Sequence, residues 1–196
     1  MQKSRINTEQ RILDAVETLL LTKGFSEVGI NAISREAGCD KVLIYRYFGG
    51  LDGLLERFAT DKDLWWNIDE IIQENMDEIT QYSLAQYLDL LLRRHIKAVQ
   101  QRPLTQEIMT WEMSDNNPLT VALHKVRSEQ GMLLVKKVRL HFSQPNIDIG
   151  GILGIFGAAI NYLLIRTRHS DSEHKKEEWW RLEQTISSLL ACQTTK

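Results

Sequence analysis

Cysteine is nearly missing from this chain: Cys39 and Cys192 are the only two in 196 residues. Two thiols so far apart make neither a disulfide framework nor a metal-ligand set. Neither sign of charge dominates, with 24 Lys and Arg against 26 Asp and Glu, a formal net charge of -2 and a pI near 6.2. Bulk charge therefore points to no nucleic-acid partner by itself. Prolines number three, Pro103, Pro118 and Pro145, each placed where an apolar period breaks. Sustained period-2 alternation is absent, which excludes a sheet. The N-terminus is polar through Gln10, unlike a secretory signal. The most apolar run, 147–165, contains Asp148, Asn161 and four glycines, and is expected to fall short of a membrane span. These absences predict a reduced, cytoplasmic protein.

Catalytic constellations are missing too. There is no Ser-His-Asp set, no metal-ligand cluster and no phosphate-cradling loop. The run "GGILGIFG" at 150–157 mimics a glycine-rich loop, but no strand precedes it. No enzyme activity, cofactor or metal is expected.

What is present is helical periodicity throughout, so the fold class is all-α. A first helix is expected from Asn7 or Thr8, with Asn7 and Gln10 as a capping box, burying Ile12, Leu13, Val16, Leu19 and Leu20 and stopping at Gly24. A short helix over 29–37 should bury Ile30, Ile33 and Ala37, followed by a Gly38-Cys39 turn and a helix capped by Asp40. A longer helix is expected over 51–66, with Lys62 and Trp65 on its period. Residues 67–82 are ambiguous, and helices follow over 83–101, 103–113, 118–142, 148–168 and 173–193. The domains are drawn at 1–50 and 51–196.

The stretch "CDKVLIYRYFGG" at 39–50 carries the functional argument. On a helix, Ile44, Tyr47 and Phe48 share one side, while Val42 and Arg46 lie opposite with Leu43 and Tyr45 at their flanks. A helix of two turns with Arg, Tyr and aliphatics in water, after a helix and a Gly-containing turn, is the pattern of a helix-turn-helix. Arg46 suits guanine edges or phosphate, and Val42 and Leu43 suit thymine methyls. Tyr45 and Tyr47 offer hydroxyls to phosphates. Short helix pairs of this kind also occur in purely structural bundles.

Residues 8–58, above all "AISREAGCDKVLIYRYFGGLDGLL" at 32–55 and "LLLTKGF" at 19–25, resemble the N-terminal domain of the TetR family of bacterial transcriptional regulators. The resemblance implies a three-helix DNA-binding domain, a homodimer on a palindromic double-stranded operator, and a repressor released by a small-molecule effector. It assigns DNA contacts to Lys41, Val42, Leu43, Tyr45, Arg46 and Tyr47, a phosphate contact to Asn31, and an N-terminal arm to Lys3 and Arg5. Two positions depart from the family pattern. Leu51 stands where a phosphate-gripping Lys is common, and Cys39 replaces a small aliphatic. Residues 1–50 hold seven Lys and Arg against six Asp and Glu, so weak non-specific binding with a shallow salt dependence is expected. A helical adaptor that has lost DNA binding is the alternative. Oxidation of Cys39 is a separate candidate for regulation, set against its reading as a small buried hydrophobe.

For the dimer, the resemblance points to the last two helices. Gly150, Gly154 and Ala158 make a smooth stripe, and Trp179, Leu182, Ile186 and Leu189 keep seam spacing. Both stripes also suit the core of one subunit. An effector pocket is assigned to Trp65, Trp66, Tyr87, Met109, Trp111, Met113, Phe156, Asn161 and Tyr162, each of which also reads as core. His95 and His124 read as ordinary half-buried or surface histidines.

Overall fold

The computed structural model describes residues 2–142 and 146–192; the side chains of Gln2, Lys3, Ser4 and Met76 lie outside the described set. The architecture is all-α. Its helices are α1 (Gln2–Lys23), α2 (Ile30–Glu36), α3 (Lys41–Phe48), α4 (Leu51–Asp61), α5 (Ile68–Ile71), α6 (Met76–Ile79), α7 (Leu84–Gln100), α8 (Pro103–Glu112), α9 (Pro118–His141), α10 (Ile149–Thr167) and α11 (Ser172–Cys192). Among the described residues there is no strand. The chain divides into two compact units, one of residues 1–65 with 102–126, the other of 66–101 with 127–196.

In the first unit, α1 supplies the buried stripe Ile12, Leu13, Val16, Leu19 and Leu20, against which Ile33, Ala37, Ile44, Leu54, Leu55 and Phe58 complete a core. Helix α1 begins earlier than expected. Asn7 and Gln10 lie inside it and form no capping box. An Arg5–Glu9 ion pair at 2.6 Å and a Gln10–Asp14 hydrogen bond at 2.8 Å, both four residues apart, support those added turns. Helix α4 stops at Asp61, shorter than expected, because tertiary contacts capture the chain beyond it. Lys62 is extended and its ammonium meets Glu17 at 2.5 Å. Arg102 pairs with Asp63 at 2.9 Å, and the Thr105 hydroxyl donates to the Leu64 carbonyl at 2.7 Å. Lys62 and Trp65 are therefore not helical positions.

The second unit resolves the ambiguous 67–82 stretch into α5 and α6, each opened by a capping box, Asn67 with Glu70 and Asn75 with Glu78. Ser83 and Gln86 do the same for α7. A polar lattice joins α7 to α11: Arg93 donates to Asp89, to Glu183 at 3.0 Å and to Ser187 at 2.7 Å. Arg94 grips Glu74 with both amino groups, which holds that carboxyl below the usual carboxylate range.

These contacts decide which side of α11 is inside. Trp179, Glu183, Ile186, Ser187 and Leu190 recur at helical spacing toward α7. Trp179 is 4% exposed and Ile186 1%, so both belong to the core of their own chain and not to a seam with a partner. Leu182 is half-buried, and Leu189 and Trp180 are exposed. On α10, Gly150 is half-buried while Gly154 and Ala158 are exposed, next to Ile155 at 71% and Tyr162 at 63%. Asp148 caps α10 from outside, accepting from the Gly151 N–H at 3.0 Å. The helix proper therefore has the length and composition to cross a membrane, contrary to expectation, with 22% of its most apolar window buried.

His95 also departs from expectation, since it is buried. The Trp66 indole N–H donates to its Nδ1 at 2.7 Å, which leaves Nδ1 unprotonated. Burial pushes its pKa down to about 4. The unfolded chain, with an ordinary histidine near 6.5, then binds more protons than the folded one between those values, and stability rises with pH across that window. Denaturant midpoints should fall as pH is lowered from about 6.5 toward 4 and level off below. His95→Phe should flatten that part of the profile; an unchanged slope would show that other groups govern it.

Candidate nucleic-acid interface

Helix α3 has eight residues and follows α2 through a four-residue connection. Asp40 caps it, its carboxylate accepting from the Val42 N–H at 2.8 Å, so the carboxylate acts on the helix and not on a ligand. Ile44 is buried, while Tyr47 and Phe48 are half-buried. The opposite face presents Lys41, Val42, Tyr45 and Arg46 to solvent with Leu43 half-covered. Five of the six assigned recognition residues thus line one open strip, and Tyr47 lies on its edge. Asn31, the second residue of α2, is exposed as well.

Arg5 is not part of a loose arm. It lies on α1 with its guanidinium 5.2 Å from the centre of the Tyr47 ring and its Nε on Glu9. Glu9, through that hydrogen bond, raises the guanidinium pKa further. The first helix therefore carries Arg5 to the end of the recognition strip. Lys3 lies on the same helix, and its side chain is outside the described residues. Leu51 begins α4 half-buried, so no cation stands at that position, and Asp52 follows it in the first turn. Cys39 is half-buried in the turn, and burial pushes its thiol pKa up, which disfavours the thiolate that oxidation requires.

The junction after α3 is set by a close approach. A Cβ on Gly53 would lie 1.9 Å from the Phe48 carbonyl oxygen, so the first turn of α4 packs directly on the last backbone of α3.

The nine residues assigned to an effector pocket fall in both units. Trp65, Met109, Trp111 and Met113 belong to the first unit and Trp66, Tyr87, Phe156, Asn161 and Tyr162 to the second. Trp111 stacks on Phe25 with ring centres 6.0 Å apart. Met113 and Tyr162 are exposed to solvent and wall no enclosed cavity. Trp65, Trp66, Tyr87, Met109 and Trp111 are buried, and Phe156 and Asn161 half-buried. The Tyr87 ring is flanked by Tyr82 and Phe142 at 5.8 and 5.5 Å. Burial pushes its pKa up to about 12, keeping the hydroxyl a neutral donor. Arg11, which holds the turn before α3 through two carbonyls, was not singled out from the sequence. Its partners lie 26 and 27 residues away, beyond the reach of local pattern.

A family model described as bacterial regulatory proteins, tetR family, matches residues 12–58. The chain is 34% identical, across 58 residues, to the HTH-type transcriptional regulator AlkX of Mycobacterium tuberculosis. It is 41% identical, across 44 residues, to an uncharacterised HTH-type transcriptional regulator of the same species. These matches span 28% and 22% of the relatives' own lengths, about a quarter of each. The fold likeness is wider. A candidate tetR family transcription regulator from Shewanella sp. PV-4 aligns over 93% of this chain and 95% of its own, with a TM-score of 0.60 at 17% identity. NalD of Pseudomonas aeruginosa, the secondary repressor of the MexAB-OprM multidrug efflux pump, aligns over 89% and 96%, with a TM-score of 0.54 at 18% identity.

Replacing Gly53 with Ala forces the α3–α4 junction apart. Gly53→Ala should destabilise the chain by roughly 1–3 kcal/mol, as overpacking does, read as a lower denaturant midpoint. A variant as stable as the parent would show that this junction gives way freely.

Proposed function

We propose, from the match of residues 12–58 to the tetR family of bacterial regulatory proteins, that the chain is a ligand-responsive transcriptional repressor that binds a palindromic operator as a homodimer. The observation that carries this reading is the open face of α3. Lys41, Val42, Tyr45 and Arg46 stand in solvent on a capped two-turn helix whose other side is core. Arg46 is the base-reading residue, bidentate to guanine. Lys41, Tyr45, Tyr47, Asn31 and Arg5 hold phosphates and fix the register, with Lys3 beyond them. Val42 and Leu43 meet thymine methyls. With half-buried Leu51 in place of a cation, phosphate contacts are few and the salt dependence is shallow.

The dimer reading rests on the uncovered apolar face of α10. Gly154, Ile155, Ala158 and Tyr162 form a contiguous exposed strip, the kind of surface that a second copy covers. Two α3 helices then meet half-sites roughly 34–36 Å apart, one DNA turn. Covering α10 with a partner also favours a cytoplasmic protein over a membrane one.

Residues 1–50 read DNA in this scheme and 51–196 sense and dimerise, a functional division that cuts across the two compact units. Buried polar atoms support an effector. Tyr87 Oη, Trp179 Nε1, Asn161 Oδ1 and Gln130 Oε1, all in the second unit, have no hydrogen-bond partner, and such groups call for a ligand or water. Tyr87 and Asn161 are the preferred effector contacts, with Trp66 and Phe156 as apolar neighbours.

Selection of bound duplexes from a random pool tests the reading. A palindrome with half-sites one turn apart is the expected outcome, whereas a folded dimer that enriches nothing would favour the adaptor. On the selected operator, Arg46→Ala should relax preference at one position per half-site at a cost of about 1–3 kcal/mol, while Tyr45→Ala weakens all sequences alike. Equal losses on every sequence for both would refute the assignment of Arg46. Gly154 has open space around it, so Gly154→Glu should leave the protomer folded and yield monomers by light scattering. An intact dimer would move the interface elsewhere.

A further inference from the structure

We propose that Arg11 is a positioning residue for DNA reading: from α1 it clamps the turn between α2 and α3, and so sets the angle at which α3 is presented. The inference rests on the regulator reading above. Helix α2 ends in a Schellman arrangement, with the Cys39 N–H on the Ser34 carbonyl at 3.1 Å, the Gly38 N–H on the Arg35 carbonyl at 3.2 Å, and Gly38 at a φ of 58°. That arrangement leaves the next carbonyls of the turn pointing outward. Arg11 Nη2 donates to the Ala37 carbonyl and, at 3.0 Å, to the Gly38 carbonyl. The Ser34 hydroxyl donates to the Cys39 carbonyl at 2.6 Å. One positive group thus closes the negative end of α2, a favourable placement, and ties it to the longest element of its unit.

The turn is the pivot of α3. Asp40, its cap, follows directly, and the buried side chain of Ile44 fixes only one point of the helix on the core. Rotation about that point is restrained by the clamp at one end and by the Gly53 contact at the other. Base readout needs hydrogen bonds aligned to about their natural width. Phosphate contacts, made by long side chains to a repeating backbone, tolerate a change of angle far better. Loss of the clamp should therefore erase discrimination before it erases affinity.

The test uses the full chain and the selected operator beside an unrelated duplex. Arg11→Met keeps the stem and removes the donors. It should weaken operator binding about tenfold, the worth of a charge-assisted hydrogen bond, leave affinity for the unrelated duplex unchanged, and leave the salt slope unchanged. Arg11→Lys should recover part of the loss. Equal weakening on both duplexes with a salt slope shallower by about one would make Arg11 a phosphate contact instead. A lower Tm with selectivity intact would reduce it to a fold stabiliser; either result overturns the proposal. Gly38→Ala supplies a check with Arg11 in place, since its methyl would sit 3.1 Å from Arg11 Nη2 at a left-handed φ. It should reproduce the selectivity loss, and an indifferent Gly38→Ala would also count against the clamp. Should the parent chain select no duplex at all, the regulator reading itself falls.

Discussion

A helix of eight residues has no stability of its own in water, so everything that makes α3 usable is imposed by its neighbours. The buried stripe of α1 supplies the floor of the unit, and buried Ile44 is the anchor of α3 between α2 and α4. Asp40 starts the helix, Phe48 and Gly53 bring it hard against α4, and Arg11 fastens the preceding turn. This division of labour frees the outward positions from any structural duty. Lys41, Val42, Tyr45 and Arg46 hold no part of the core together, and their chemistry is therefore available to a partner. The near-neutral charge of residues 1–50 is compatible with that role because placement matters more than total charge when contacts are few.

Most of this was legible in the sequence because it depends on local rules. The cap at Asp40, the start of α7 at Ser83 and Pro103 opening α8 are short-range signals, and each stands where the pattern placed it. The faces of α3 followed from spacing alone. Failures came where distant contacts overrode local preference. Lys62 and Trp65 continue the apolar period of α4, yet Glu17, Arg102 and Thr105 pull the chain out of the helix. Asn7 reads as a cap, but the Arg5–Glu9 ion pair spans it and holds it inside α1. Tandem asparagine boxes at 67 and 75 were overlooked as helix starts because each helix is a single turn, too short to show a period.

The second unit was the harder half to read. Seam spacing in α11 is real, but it cannot say whether a seam faces a sister helix or a sister chain. Arg93 decides this, since its bonds to Glu183 and Ser187 turn Trp179 and Ile186 inward. The same holds for His95, whose partner Trp66 lies 29 residues away in the sequence. Aromatic content likewise cannot tell core from cavity. Burial with an unpartnered polar atom, as at Tyr87, carries more weight, and it is visible only in three dimensions.

The α3–α4 junction also has an evolutionary consequence. Every single-nucleotide change from a glycine codon to another residue introduces a Cβ, and at Gly53 that atom has nowhere to go. The position is closed to gradual substitution for as long as the junction keeps this packing. Under the proposed reading, specificity can drift across Lys41, Val42, Tyr45 and Arg46, one residue at a time, on a junction that cannot drift with it. A relative carrying any other residue at this site must join its two helices differently, and its reading head would then approach a target along a different line.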